Sequence, residues 1–333
     1  MEWLVAVLML AVTATADEPE FKRFEFTEVE MAASVKIVLY APDRPTANLA
    51  AKAAYARIGQ LCRVFSDYDP ESELRRLCSS SPGGVAVPVS DDLWRVLQHA
   101  QALSRRSQDA FDVTVGPVVR LWRRARRRQQ LPAPELLNPA RALVGYRYIR
   151  LNDKQRSVEL QKPGMRLDLG GIAKGYAGDE ALKVLEKAGV KSALIDVGGD
   201  IVLGDPPPGS SGWRIGVAPL KADGPASRYL SLANVAIATS GDVWQHVEID
   251  GRRYSHIVDP RTGLGLTDRS SVTVIAPTGM AADGLASAVS VLGPKQGMKL
   301  IEATADTAAL IINSPNGKTV QTHQSNRWPQ QKP

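Results

Sequence analysis

Asp283 and Ser287 lie four residues apart in Ala-Ala-Asp-Gly-Leu-Ala-Ser-Ala-Val (281–289), and theirs are the only polar side chains in that window. Helical spacing puts them on one face. A carboxylate and a hydroxyl buried on an apolar helix are costly without partners, and serving as hard oxygen ligands for Mg²⁺ is one way to supply a partner. The plainer reading is an Asp favoured by the helix dipole, with Ser filling space. Met165 to Tyr176 (MRLDLGGIAKGY) runs from a strand-like segment through a diglycine turn into a helix start. Glycines admit a ligand close to the backbone, the helix N-terminus attracts anions, and Lys174 adds charge. The pattern is neither a Walker A sequence nor GxGxxG, so a phosphate site and a structural turn both remain open. A second diglycine follows a strand in Ile195–Asp200 (IDVGGD), where the acids either cap the turn or meet a ligand. In Tyr254–Gly263 (YSHIVDPRTG), His256 is one of 4 histidines and precedes a loop stiffened by Pro260 and Gly263. It could face a phosphate or simply brace the loop.

The elements that must position these residues alternate by cluster. Ser34–Tyr40 alternates as a strand, 46–64 has helical periodicity, and Asp69-Pro70 reads as a cap opening PESELRRL. Ser90, Asp91 and Asp92 start a helix to about Ser104, and short strands are expected at 148–151 and 157–160, before a helix over 172–188. From Ala193 the texture is β, with Asp250-Gly251 as a two-residue hairpin turn. Helices over 281–291 and 295–303 precede strands AALIIN and KTVQTH. Strands follow strands and helices cluster, so the class is α+β, with mixed, largely antiparallel sheets.

The 333 residues are 44% apolar and 23% charged, enough for a sizeable core. Arg120, Arg123, Arg124, Arg126, Arg127 and Arg128 hold much of the +6 net charge. With no aromatic residue between Arg123 and Arg128 and no nucleic-acid module, a solvated helix end is the better reading, and no nucleic-acid partner is expected. An apolar stretch, Trp3–Val12, followed by Ala14-Thr15-Ala16 has the form of an export signal, although Glu2 replaces the usual basic residue. Residues 1–16 are therefore read as a signal, 17–323 as the working domain and 324–333 as a frayed tail. The destination is the periplasm, in soluble form, with no cysteine near the cleavage site to accept a lipid. Cys62 and Cys78 are too few for a disulfide framework, though a single bridge is compatible with export.

Together these motifs resemble the ApbE family of FAD:protein FMN transferases, over about Met31 to Ile312. Ser66, Tyr68, Ser72 and Leu74 match its Ser-x-Tyr-x-x-x-Ser-x-Leu pattern, and 110–117 its Phe-Asp-x-Thr-x-Gly-Pro segment. DLGGIAKGY at 168–176 with Asp179, then GGD, SGD, HIVDPRTG and the Asp283/Ser287 pair follow in family order. Ser287 replaces the usual threonine, Val243 a common aromatic, Gly265 a proline and Cys78 an asparagine.

The resemblance implies Met31, Tyr68, Ala110, Phe111, Asp112, Asp168, Lys174 and Ile257 around FAD. It implies the Gly171 carbonyl, Asp283 and Ser287 around Mg²⁺, and His256 beside the pyrophosphate, with His256 and Asp283 the catalytic candidates. The implied reaction moves FMN from FAD to a Thr or Ser hydroxyl of an acceptor, releasing AMP. The implied acceptor is an exported or membrane-anchored electron-transfer protein with an FMN-binding domain. An FAD pyrophosphatase and a non-catalytic flavin-binding protein are the alternatives.

Overall fold

The computed structural model describes residues 21–330 except 82, 218–219, 221–225, 227, 243–244, 316 and 318. The expected signal at 1–16 and Val243 lie outside the described residues.

Strand β1 (Lys22–Glu30) turns through Met31 and Ala32, at φ 52° and 56°, into β2 (Ala33–Ala41). Asp43 then starts α1 (Arg44–Phe65): its Oδ1 accepts from the Thr46 amide at 2.8 Å, and Pro45 presets the first turn. The next helix, α2 (Glu73–Ser80), is capped by Ser72 rather than by the expected Asp69-Pro70. Asp69 Oδ1 instead takes the Glu71 amide at 2.9 Å, closing a tight turn one step earlier.

Between β3 (Ala86–Pro88) and β4 (Ile149–Asn152) lie α3 (Asp91–Arg106), α4 (Gly116–Arg128) and α5 (Pro134–Arg141). β5 (Ser157–Leu160) joins β3 and β4 in a small sheet. The diglycine turn leads into α6 (Ala173–Lys187), then β6 (Ala193–Val197) and β7 (Asp200–Leu203). The β-rich half continues with β8 (Trp213–Val217), β9 (Arg228–Leu232), β10 (Ala236–Gly241), β11 (His246–Ile249), β12 (Arg252–Ser255), β13 (Val258–Asp259), β14 (Leu264–Gly265) and β15 (Arg269–Ala276). Asp250 and Gly251, at φ 49° and 71°, make the β11–β12 turn that this dipeptide favours. Helix α7 (Gly279–Glu302) breaks at Gly293, at φ 71°, just before Pro294, so the two expected helices are successive halves of one element. Strands β16 (Ala308–Ser314) and β17 (Gln321–Gln324) complete the chain.

Eight strands form the main sheet in the order β1-β2-β6-β7-β10-β15-β16-β17, each pair antiparallel. Alternation sorts its two faces. Val35, Ile37 and Leu39 of β2, with Val272 and Val274 of β15, join α1, α6 and α7 in the larger core. Val38, Ile275 and Leu310 point the other way, against the β8–β9 ribbon and Trp328. The class is α+β, as the alternation implies.

Residues 325–330 do not fray as expected. Trp328 is 3% exposed, and Arg327 donates to the Ile301 and Thr307 carbonyls at 2.7 and 2.8 Å, closing the end of α7. Cys62 and Cys78 are both free thiols.

Candidate active site

The cleft is built on a helix crossing that only glycine allows. A Cβ on Gly175 in α6 would fall 2.0 Å from the Gly279 carbonyl oxygen, and one on Gly279 would fall 2.3 Å from that of Gly175. The first turns of α6 and α7 therefore touch backbone to backbone. Asp179 locks the contact, its oxygens accepting from the Gly279 and Met280 amides at 2.6 and 2.9 Å. One turn on, Asp283 Oδ2 accepts from the Gly175 amide at 3.1 Å. A Cβ on Gly171 would lie 2.8 Å from Ser287 Oγ, so the diglycine turn lies against the same face of α7. Sequence spacing puts Asp283 and Ser287 on that face; the glycines bring the turn to them.

A cleft of about 590 Å³ opens there, lined by Tyr68, Ala110, Phe111, Asp112, Asp168, Gly171, Lys174, His256, Ile257, Asp283 and Ser287. Those are the expected site residues save one. Met31 is not in the lining; from the β1–β2 turn its half-buried side chain packs against the larger core. Its hairpin meets the cleft at Gly198, whose amide donates to the Ser34 carbonyl at 3.1 Å and where a Cβ would lie 2.8 Å from that of Ala33.

Lys174 Nζ pairs with Asp200 Oδ2 at 2.5 Å. Burial would depress the ammonium, but the Asp200 and Asp283 charges outweigh it and raise Lys174 above its ordinary value. Burial also raises Asp200, against the pull of Lys174. Asp283 is pushed up to about 8, first by burial and then by Asp200. Two buried carboxylates thus share one lysine, an imbalance that a cation would correct. Among the described residues no group of three or more His, Cys, Asp or Glu side chains could hold a metal. A carboxylate, a hydroxyl and a carbonyl leave positions for phosphate oxygens and water, which is the habit of Mg²⁺. The donors present therefore fit that ion.

On the facing wall, α4 anchors the end of β12, just before His256. Trp122 Nε1 donates to the Ser255 carbonyl at 3.0 Å, and Gly265 leaves room for the indole, since a Cβ there would lie 2.5 Å from it. The His256 amide and Nδ1 both lie within hydrogen-bond distance of the Gln245 carbonyl, at 3.0 and 3.1 Å. A carbonyl only accepts, so Nδ1 carries the proton and Nε2 keeps its lone pair. Burial lowers the pKa of His256, favouring the neutral ring.

Asp112 has a structural duty as well: it accepts from the Thr114 amide and hydroxyl at 2.8 and 2.7 Å and from the Tyr146 amide at 2.6 Å. Asp168 accepts from Arg123 Nη2 at 2.9 Å and from the Gly170 amide at 2.8 Å. Arg123 also pairs with Asp67. Arg123, Arg126, Gln245 and Asp200 line the cleft without having been expected as site residues. Helical phase within the arginine run could have singled out Arg123; no sequence signal marks Gln245, which acts through its backbone.

The ApbE family model matches residues 31–311 of this sequence. The chain belongs to the ApbE family. The FAD:protein FMN transferase of Haemophilus influenzae is 33% identical over 260 residues, covering 76% of this chain and 75% of that one. The one from Vibrio cholerae is 32% identical over 326 residues, 95% of each. The apo crystal structure of the Pseudomonas stutzeri flavinyl transferase ApbE superposes with a TM-score of 0.80 at 30% identity, over 92% of this chain and 95% of that one. The fold that holds the helix crossing and the cleft is thus the ApbE fold.

Proposed function

We propose that this chain transfers FMN from FAD to a Ser or Thr hydroxyl of an acceptor protein, releasing AMP, with Mg²⁺ bound. The observation that carries the reading is that Lys174 of α6, His256 just after β12, and Asp283 and Ser287 of α7 line one cleft in an ApbE-family chain.

The acceptor oxygen attacks the phosphorus on the FMN side of the pyrophosphate. A new P–O bond forms, the bond to the bridging oxygen breaks, and AMP leaves with that electron pair. Nε2 of neutral His256 is the group suited to receive the acceptor proton. Asp283, Ser287 and the Gly171 carbonyl would hold Mg²⁺, which supplies neutralisation of charge on the phosphoryl oxygens. Lys174, fixed by Asp200, adds positive charge beside the start of α6, whose dipole acts in the same sense. Tyr68, Ala110, Phe111, Asp112, Asp168 and Ile257 would line the rest of the FAD. Positioning and electrostatics then supply most of the rate.

Export, with a mature chain from Asp17, rests on the apolar stretch and the Ala14-Thr15-Ala16 site. An exported or membrane-anchored electron-transfer protein with an FMN-binding domain is then the acceptor. Among the described residues no helix is long and apolar enough to cross a membrane.

Chromatography of FAD incubated with the protein and Mg²⁺ tests the reading. AMP should form only when an acceptor is added. Equal amounts of AMP and free FMN without acceptor would make the protein a pyrophosphatase instead.

A further inference from the structure

The arginine run is not merely a solvated helix end. Beside the main cleft lies a second, of about 320 Å³, lined by Arg75, Arg120, Arg123, Arg127 and Arg166 with Asp67. Arg120, Arg123 and Arg127 recur at i, i+3 and i+7 on the face of α4 opposite buried Val118, Trp122 and Ala125. Arg75 comes from α2. Gly116 draws the start of α4 onto Arg166, since a Cβ there would sit 2.7 Å from the Arg166 carbonyl oxygen.

Charge in this cleft is unbalanced. Among the described residues, Arg123 pairs with Asp67 and Asp168, while the other four arginines have no carboxylate within ion-pair distance. Burial, then the charges of Arg75 and Arg120, pull the Arg166 guanidinium below its ordinary value. Like charges gathered in a concavity attract an anion.

Shape and position narrow the choice of anion. Tyr68 and Arg123 line both clefts, with the Arg123 guanidinium carbon 4.6 Å from the Tyr68 ring centre. Whatever fills the second cleft therefore borders what fills the first. A groove framed by α2, α4 and the Arg166 segment admits an extended chain better than a flat lipid surface.

We propose that the arginine cleft binds an acidic segment of the acceptor protein, so that Asp or Glu side chains near the target hydroxyl guide it into the main cleft. The identity of the partner rests on the flavin-transfer reading; the anion preference does not.

Fluorescein-labelled hexaglutamate, titrated into the full chain and followed by anisotropy, tests this beside FAD binding followed by flavin fluorescence. Hexaglutamate should bind, hexalysine should not, and added salt should weaken binding. The double variant Arg120→Glu/Arg127→Glu should lose roughly 10-fold or more in peptide affinity while keeping FAD affinity and melting temperature, because both residues line the second cleft and not the first. If the double reversal lowers the melting temperature, Arg120→Gln/Arg127→Gln carries the same test. No hexaglutamate binding, or equal binding by the variant, overturns the proposal. So does binding to phosphatidylglycerol vesicles but not to hexaglutamate, which would assign the cleft to a membrane surface. Failure of flavin transfer would appear separately, as absent FAD binding or absent AMP release.

Discussion

The Gly175 amide donates to Asp283 Oδ2 at 3.1 Å across the crossing of α6 and α7. This bond ties the helix after the diglycine turn to the helix carrying the proposed metal ligands. The geometry of the site therefore depends on how closely two glycines let those helices approach.

Gly175→Ala should be disruptive, because its Cβ would lie 2.0 Å from the Gly279 carbonyl oxygen, a backbone atom that cannot step aside. Overpacking of this kind costs about 1–3 kcal/mol, and FAD binding should weaken with it. Gly59→Ala in α1 is the control: its Cβ would meet nothing nearer than Glu30 Oε1 at 3.7 Å. It should be neutral or stabilising by up to about 1 kcal/mol. Urea unfolding of both variants checks the contrast.

Asp283→Ala should abolish transfer with Mg²⁺ present, while the melting temperature changes little, since loss of the bond to the Gly175 amide is offset by removal of a buried carboxylate in excess of its lysine. In the wild type EDTA should stop turnover and Mg²⁺ restore it. A chelator-resistant, active Asp283→Ala enzyme would refute the metal assignment.

Asp179 makes a pH prediction. Burial raises its pKa from 3.8 to about 6, despite the two amides it caps. Between those values the native state holds more protons than the unfolded state, so this group's contribution to stability falls as pH rises from about 4 to about 6. The stability of the wild type relative to Asp179→Asn, measured by urea unfolding across that window, should decline with rising pH. A flat or rising difference contradicts the assignment.

Where sequence reading succeeded, the signal was local. Asp250-Gly251 and Gly293-Pro294 mark their turn and helix break because the backbone angles needed there favour those residues. The i, i+4 pair and the diglycine turn were legible for the same reason. Contacts made across the fold were not. Asp200 looks like a turn residue until Lys174 is seen 2.5 Å away. Trp328 gives no hint in a polar tail that it closes a core. Met31 was assigned by family pattern, and its half-buried side chain packs against the larger core from a two-residue turn, a placement its sequence neighbours do not announce.

Export predicts a mature protein starting at Asp17, which N-terminal sequencing of the secreted product reads directly. A product that keeps Met1 and sediments with membranes would oppose it.

His256→Asn separates chemistry from scaffolding. With the Nε2 lone pair lost from the site, transfer should slow by roughly 10²-fold or more, while FAD affinity and melting temperature change little. Parallel losses in all three would make His256 a brace for the loop that follows it.

Intact mass of a candidate acceptor, before and after incubation with the protein, FAD and Mg²⁺, tests the central claim most directly. The acceptor should gain the mass of one FMN in phosphoester linkage, and replacing its target Ser or Thr by Ala should abolish the gain. An unmodified acceptor in a mixture where FAD has become free FMN and AMP would contradict flavin transfer.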